Sequence, residues 1–217
     1  MTAITRSFIS KLRRCSGKRR RRLRHRQNKM LLSDKSIREA IKAGKIVIKP
    51  FFEDCVQPSS IDIHLDNKFL LFNKSKHGII DVKQKQEGLM MPVEIKDNEP
   101  FILHPGEFIL GSTLESVKLS SDIAGRIEGK SSLGRLGLLI HSTAGFIDPG
   151  WEGNLTLELS NVSPLPITLY YKMKIGQVSF VNMSTPVDRP YGSKGLGSHY
   201  QGQKVPVASK FHEDTRT

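Results

Sequence analysis

In the stretch "HSTAGFIDPGWEGNLTLELSN", His141 to Asn161, which holds three carboxylates, Asp148 and Glu158 stand ten positions apart among glycines and short polar residues. A positioned carboxylate can take a proton from water and return it to a leaving group, so Asp148 and Glu158 are candidate acid–base residues. Side chains alternate faces along a strand. Asn154, Thr156, Glu158 and Ser160 therefore share one side, and Leu155, Leu157 and Leu159 the other. The leucine side belongs to a core. The polar side faces water, a partner subunit or a ligand, and a solvated sheet face would carry the same pattern. Asp148 sits in Ala-Gly-Phe-Ile-Asp-Pro-Gly, a tight turn that presents the carboxylate at its tip, although aspartate also favours such turns for local hydrogen bonding alone.

A second group of residues could hold an anion. In "EGKSSLGRLG", Ser131 and Ser132 open a single helical turn whose free N–H groups and hydroxyls can donate to phosphate oxygens. Arg135 follows at helical spacing, and Lys130 adds another positive charge. The result is a candidate triphosphate cradle, although it is not a Walker motif. An ordinary capped turn with a surface arginine has the same composition.

These residues must be positioned by a body of mostly strands. Ser33 is the expected N-cap of a short helix with Ile37, Ala40 and Ile41 on one face and Gly44 as its stop. Thereafter the apolar period becomes two: "SSIDIHLD", "KFLLF", "EFILGSTLE", "DIAGRIEG", "GLLIHS", "NLTLELSN", "PITLYY" and "IGQVSFVNM" are short runs bounded by Gly, Pro, Asn or Asp. This predicts an all-β sandwich or barrel, with no internal repeat. From about Asp188 the chain is glycine-rich and aperiodic, the composition of a frayed tail or a flap that orders over a ligand.

The net charge of +13 suggests a nucleic-acid binder until it is divided along the chain. Residues 1–29 hold 12 Lys and Arg and no acid, which leaves 22 basic against 21 acidic side chains in the rest. The basic extension is expected to be disordered, and it is the only feature that speaks for nucleic acid. It lacks the apolar segment of a secretory signal, and "MLLSDKSIREAI" reads as an alternative start at Met30. No apolar run approaches the roughly 20 residues of a membrane span. The two cysteines, Cys15 and Cys55, form no CxxC and accompany no H-x-E, so neither a cysteine-based zinc site nor a disulfide framework is expected. A reducing cytoplasm is the expected compartment.

Taken together, "QPSSIDIHL", "GKSSLGRLGLLIHSTAGFIDPGWEGNLTLELSN", "KIGQ", "RPYGS" and "YQGQ" closely resemble, in order and spacing, the dCTP deaminases of the trimeric dUTPase superfamily. The resemblance runs from Met30 to about Phe211. It implies a distorted β-barrel of jelly-roll type over residues 30–187, a flap over 188–217, and a homotrimer whose three sites are built from neighbouring subunits. It implies zinc-independent deamination, with Mg²⁺ carried on the substrate triphosphate, and it brings dTTP as a candidate feedback inhibitor.

Carried onto matching positions, the resemblance makes Glu158 the general acid/base. It assigns Ser131 and the Ala144 carbonyl to the water and amino group, and Arg135 of a neighbouring subunit to the developing charge. Lys130, Ser131, Ser132, Leu133, Gly134 and Arg135 correspond to the nucleotide loop. Asp148 corresponds to the reader of the 3′-hydroxyl, and Thr156, Leu157 and Glu158 to the edge that bonds the pyrimidine. Gln177, Tyr191 and Gln203 match further ligand positions. Where relatives carry a lysine shortly before "YQGQ", this chain has His199, so either a protonated His199 or Lys194 would supply that charge.

The family divides by product. The type that stops at dUTP resembles A-H-R-I-D before the turn aspartate, whereas the dUMP-forming type resembles A-G-F-I-D or A-G-W-I-D. Here Gly145 and Phe146 follow the second pattern, so the expected reaction is deamination coupled to diphosphate release. The alternatives are a deaminase that stops at dUTP, a dUTPase without deamination, and a non-enzymatic nucleotide sensor on the same fold.

Overall fold

The computed structural model describes residues 31–214. The basic extension 1–29 and the alternative start at Met30 lie outside the described residues. Helix α1 (Asp34–Lys42) forms where expected: the Ser33 side chain accepts from Ser36 N, Ile37 and Ala40 are buried, and Gly44 takes a left-handed φ of 71° just beyond the end.

The rest is built from short strands. The first half contributes β1 (Ile46–Lys49), β2 (Val56–Gln57), β3 (Ser60–His64), β4 (Lys68–Phe72), β5 (Met90–Glu94), β6 (Phe101–Leu103) and β7 (Phe108–Leu119). The second half adds β8 (Ile123–Gly129), the one-turn helix α2 (Ser131–Gly134), β9 (Leu138–Leu139), β10 (Phe146–Ile147), β11 (Glu152–Asn161), β12 (Ile167–Leu169) and β13 (Lys174–Asn182). One sheet runs β5-β4-β7-β11-β9 with β1 also on β7, and a second runs β10-β8-β13-β3-β2. A β12-β6 ribbon completes the fold. Both sheets feed one apolar core, with Ile61, Ile63, Val178 and Phe180 from one and Phe69, Val117, Leu157 and Leu159 from the other. The expected barrel is therefore an open, jelly-roll-like pair of sheets. Strands β5, β9, β10 and β2 stand at sheet ends and, among the described residues, no ladder closes the ring.

Strand β11 follows the predicted alternation: Leu155, Leu157 and Leu159 are buried while Asn154, Thr156, Glu158 and Ser160 are partly exposed. Its pairing with β7 skips between Asn154 and Thr156, where Ser116 gives way to Ser112 as the next partner. The looped-out backbone is satisfied locally. Asn154 Nδ2 donates to the Thr113 and Leu114 carbonyls at 2.8 and 3.2 Å, and Leu155 N donates to Thr113 Oγ1 at 2.9 Å.

From Asp188 the chain is irregular apart from one 3-10 turn at Phe211–Glu213, and it is docked along the start of β11. Asn154 N donates to Gln203 O at 2.9 Å and Gly202 N to Glu152 O at 2.8 Å. Gly153 permits this approach, because a Cβ there would lie 2.8 Å from Gln203 O, and its own φ is 148°. No helix among the described residues is long and apolar enough to cross a membrane.

Leu157 is fully buried directly behind the acid-bearing side of β11. Leu157→Ala is expected to cost about 2–5 kcal/mol of stability through lost burial and a residual cavity, read as a lowered urea midpoint.

Candidate active site

The polar side of β11 opens into a cavity of about 1050 Å³. Thr156 and Glu158 line it together with His141, Ala144, Phe146 and Asp148, and with Tyr191, Tyr200, Gln203 and Lys210 of the tail. The chain thus brings Glu158, Ala144, Asp148, Thr156, Tyr191, Gln203 and Phe146 to one space. Ile147 pairs with Gly125 of β8, and Trp151 N donates to Asp148 O at 3.1 Å, which closes the turn that presents Asp148. Leu157 is the exception in its triplet: its side chain is in the core, so only its backbone can meet a ligand.

The Glu158 carboxylate is oriented by backbone. Its Oε2 accepts from Ser142 N at 2.9 Å, and its own N donates to Ile140 O at 2.9 Å, so strand and carboxylate are held by the same short segment, 140–142. Among the described residues no protein group bonds Oε1. Gly145 fits closely behind His141: an added Cβ would lie 2.9 Å from His141 Cε1 and 3.3 Å from Ile127 O. The Gly145 carbonyl also accepts from Ile127 N at 2.8 Å. The space beside the Gly145 Cα is thus partly taken by the His141 imidazole. Phe146 is exposed, with the Arg126 guanidinium 5.6 Å from its ring centre.

The tail wall is aromatic and bonded. Trp151 and Tyr191 rings lie 5.4 Å apart, and Tyr200 N donates to Tyr191 Oη at 3.3 Å. Burial pushes the Tyr191 phenol up, so it stays neutral at ordinary pH. Gln203 Nε2 donates to Asn154 O at 2.7 Å and to Thr156 Oγ1 at 3.0 Å, while its Oε1 is buried with no partner.

The loop expected to bind nucleotide lies elsewhere. Lys130, Ser131, Ser132, Leu133, Gly134 and Arg135 form the predicted turn, with Leu133 N and Gly134 N donating to Lys130 O, but none of them lines the cavity of their own chain. Ser131, Ser132 and Arg135 are exposed, whereas Leu133 packs on the core. The Lys130 ammonium is not the free cation expected of it, because it donates to Asp62 Oδ1 at 2.6 Å. Gln177, on β13, accepts from Ser60 Oγ at 3.1 Å and is likewise outside the cavity.

His199 and Lys194 are also absent from the cavity wall. His199 Nδ1 lies 3.2 Å from Glu213 Oε2, and the Lys194 carbonyl accepts from Arg189 Nη2 at 3.1 Å. Lys210, which the sequence did not single out, lines the cavity and places its Nζ 3.1 Å from the His199 carbonyl. Its signal was masked by the aperiodic tail. Cys55 is buried with its thiol pushed up by desolvation, a packing residue rather than a nucleophile. Among the described residues no group of three or more His, Cys, Asp or Glu converges on a point that could hold a metal ion.

Residues 31–183 match the family model described as dCTP deaminase-like. A protein of Corynebacterium diphtheriae named "dCTP deaminase, dUMP-forming" is 59% identical over 187 residues, covering 86% of this chain and its own whole length. Proteins of the same name from Corynebacterium jeikeium and Mycolicibacterium vanbaalenii are 60% and 56% identical, covering 84% and 85% of this chain and 97% of each relative. The crystal structure of 2'-deoxycytidine 5'-triphosphate deaminase from Agrobacterium tumefaciens superposes with a TM-score of 0.54 at 22% identity. That match covers 70% of this chain and 48% of the other, so the chain spans about half of it, and the likeness is one of fold. By the family match and these relatives, the chain belongs to the dCTP deaminase-like family.

Proposed function

We infer that this chain hydrolyses dCTP to dUMP, releasing ammonia and diphosphate. The observation that carries the inference is Glu158, fixed by Ser142 N–H on the wall of a nucleotide-sized cavity that also holds Asp148 and Ala144. Relatives named for dUMP-forming dCTP deamination, 56–60% identical over nearly their full length, support it. The product favours dUMP over dUTP because Gly145 and Phe146 occupy the two positions where the dUTP-releasing type carries basic side chains.

In this reading Glu158 takes a proton from a water that attacks C4 of the cytosine. That proton passes to N3; a second, taken from the new C4 hydroxyl as it becomes the carbonyl, goes to the amino group, and the C4–N bond breaks to release ammonia. General acid–base transfer of this kind contributes about 10²–10⁴-fold. The remainder comes from orientation by the Ala144 carbonyl, the Thr156-Leu157-Glu158 edge and the Tyr191 ring. A second water then cleaves between the α and β phosphates, with Asp148 beside the sugar. Mg²⁺ arrives as part of the substrate, held by triphosphate oxygens and water.

The nucleotide loop faces away from the cavity of its own chain, so the complete site takes Glu158 from one subunit and Ser131 and Arg135 from a neighbour. This is the arrangement of a closed ring, read here as a homotrimer. The tail from Asp188 onward is the cover of the site, and Lys210 supplies the charge that neither His199 nor Lys194 brings to the cavity.

Three outcomes test the reading. Purified protein given dCTP should yield ammonia, diphosphate and dUMP in equal amounts. Accumulating dUTP without diphosphate would reduce it to a plain deaminase. Glu158→Gln should lose ammonia release by at least about 10²-fold while still binding the triphosphate, measured by calorimetry. Co-refolding equal amounts of Glu158→Gln and Arg135→Ala chains should restore about one quarter of the wild-type rate, because a quarter of the shared sites then carry both intact residues. No recovery would place both residues in one subunit's site.

A further inference from the structure

Two residues of the candidate nucleotide site are held from behind by one strand. Ile61 and Ile63 of β3 point into the core, whereas Ser60 and Asp62 point the other way. That second face is not solvated: Ser60 is 5% exposed and Asp62 4%. A carboxylate so far from water is expensive unless cations and donors surround it. Asp62 has them. Oδ1 accepts from Lys130 Nζ at 2.6 Å, and Oδ2 lies 3.6 Å from Lys174 Nζ and 3.5 Å from Gln57 Nε2.

Both ties run to the nucleotide side. Lys130 is the residue before α2, and its carbonyl accepts the first helical hydrogen bonds from Leu133 N and Gly134 N at 3.0 and 2.9 Å. Anchoring its side chain fixes where the turn begins and hence where its N–H groups aim. Gln177 stands directly opposite Asp62 in the β13–β3 ladder, and its Oε1 accepts from Ser60 Oγ at 3.1 Å. With the carbonyl end of the amide so engaged, its NH₂ end keeps both donors for another acceptor.

We propose that Asp62 and Ser60 are positioning residues for the substrate triphosphate: Asp62 fixes the start of the 130–135 loop through Lys130, and Ser60 fixes the rotamer of Gln177. Lys130 then acts as a tether whose charge is paired with Asp62, and the Arg135 guanidinium and the Ser131 and Ser132 hydroxyls make the phosphate contacts. This rests on the reading of 130–135 as the nucleotide loop.

The test is a double-mutant cycle on the intact protein with dCTP and Mg²⁺. Asp62→Asn and Lys130→Met should each raise KM about tenfold with kcat within about twofold, and the double variant should be no worse than either single one, the mark of two groups acting as a unit. Additive effects, or an unchanged KM in Asp62→Asn, would overturn the tether. A purely structural role would lower the melting temperature of the free protein while leaving the dCTP-induced rise intact; the proposal requires that rise to shrink. Should Asp62→Asn fail to fold, Ser60→Ala carries the test, with a severalfold higher KM expected at nearly unchanged stability and an unchanged KM overturning the proposal. Arg135→Ala separates the two levels: if it leaves KM untouched while Glu158→Gln abolishes turnover, the nucleotide-loop reading itself is wrong.

Discussion

The site depends on one strand being read correctly by water. In β11 the leucines at 155, 157 and 159 are driven into the core, and burial of a leucine side chain is worth about 1.5–3 kcal/mol each. Because the period is two, that burial leaves Thr156 and Glu158 no choice of side. A shift of one residue would place the carboxylate in the core and a leucine in the cavity, a state made prohibitive by the cost of an unpaired buried charge. The hydrophobic effect therefore orients the acid, and the Ser142 N–H only refines it.

Much of this was legible before any coordinates. The alternation of β11, the Ser33-capped helix, the one-turn helix after Lys130 and the Asp148 turn all follow from local pattern, and all are present. What local pattern could not show was closure and partnership. Short amphipathic strands fit a barrel or a pair of sheets equally well, and the choice is made by edges that never meet. Charge partners are as opaque: Lys130 reads as a free cation beside two serines, but its ammonium belongs to Asp62, 68 residues earlier in the chain. His199 likewise finds Glu213 within the tail, while Lys210 reaches the cavity from a stretch with no period to mark it.

The two halves of the proposed site are built on different logic. Around Glu158 the geometry is set by packing and backbone hydrogen bonds, which tolerate little movement. The 130–135 turn is instead an exposed projection with its base tied to a buried ion pair. A projection of that kind can serve a neighbouring subunit because the Ser131 and Ser132 hydroxyls and the Arg135 guanidinium are exposed.

The skip in the β7–β11 ladder lies where the two halves of the strand take up different partners. On one side of it, Glu152 and Asn154 bond the docked tail; on the other, Thr156 to Ser160 bear the acid and continue the regular pairing, and Thr156 Oγ1 also accepts from the tail's Gln203 Nε2. The interruption is locally self-sufficient, since Asn154 and Thr113 bond the looped-out backbone themselves. A displacement of the tail would therefore be felt at Thr156 directly, whereas the Glu158 carboxylate keeps its own anchor in Ser142 N–H.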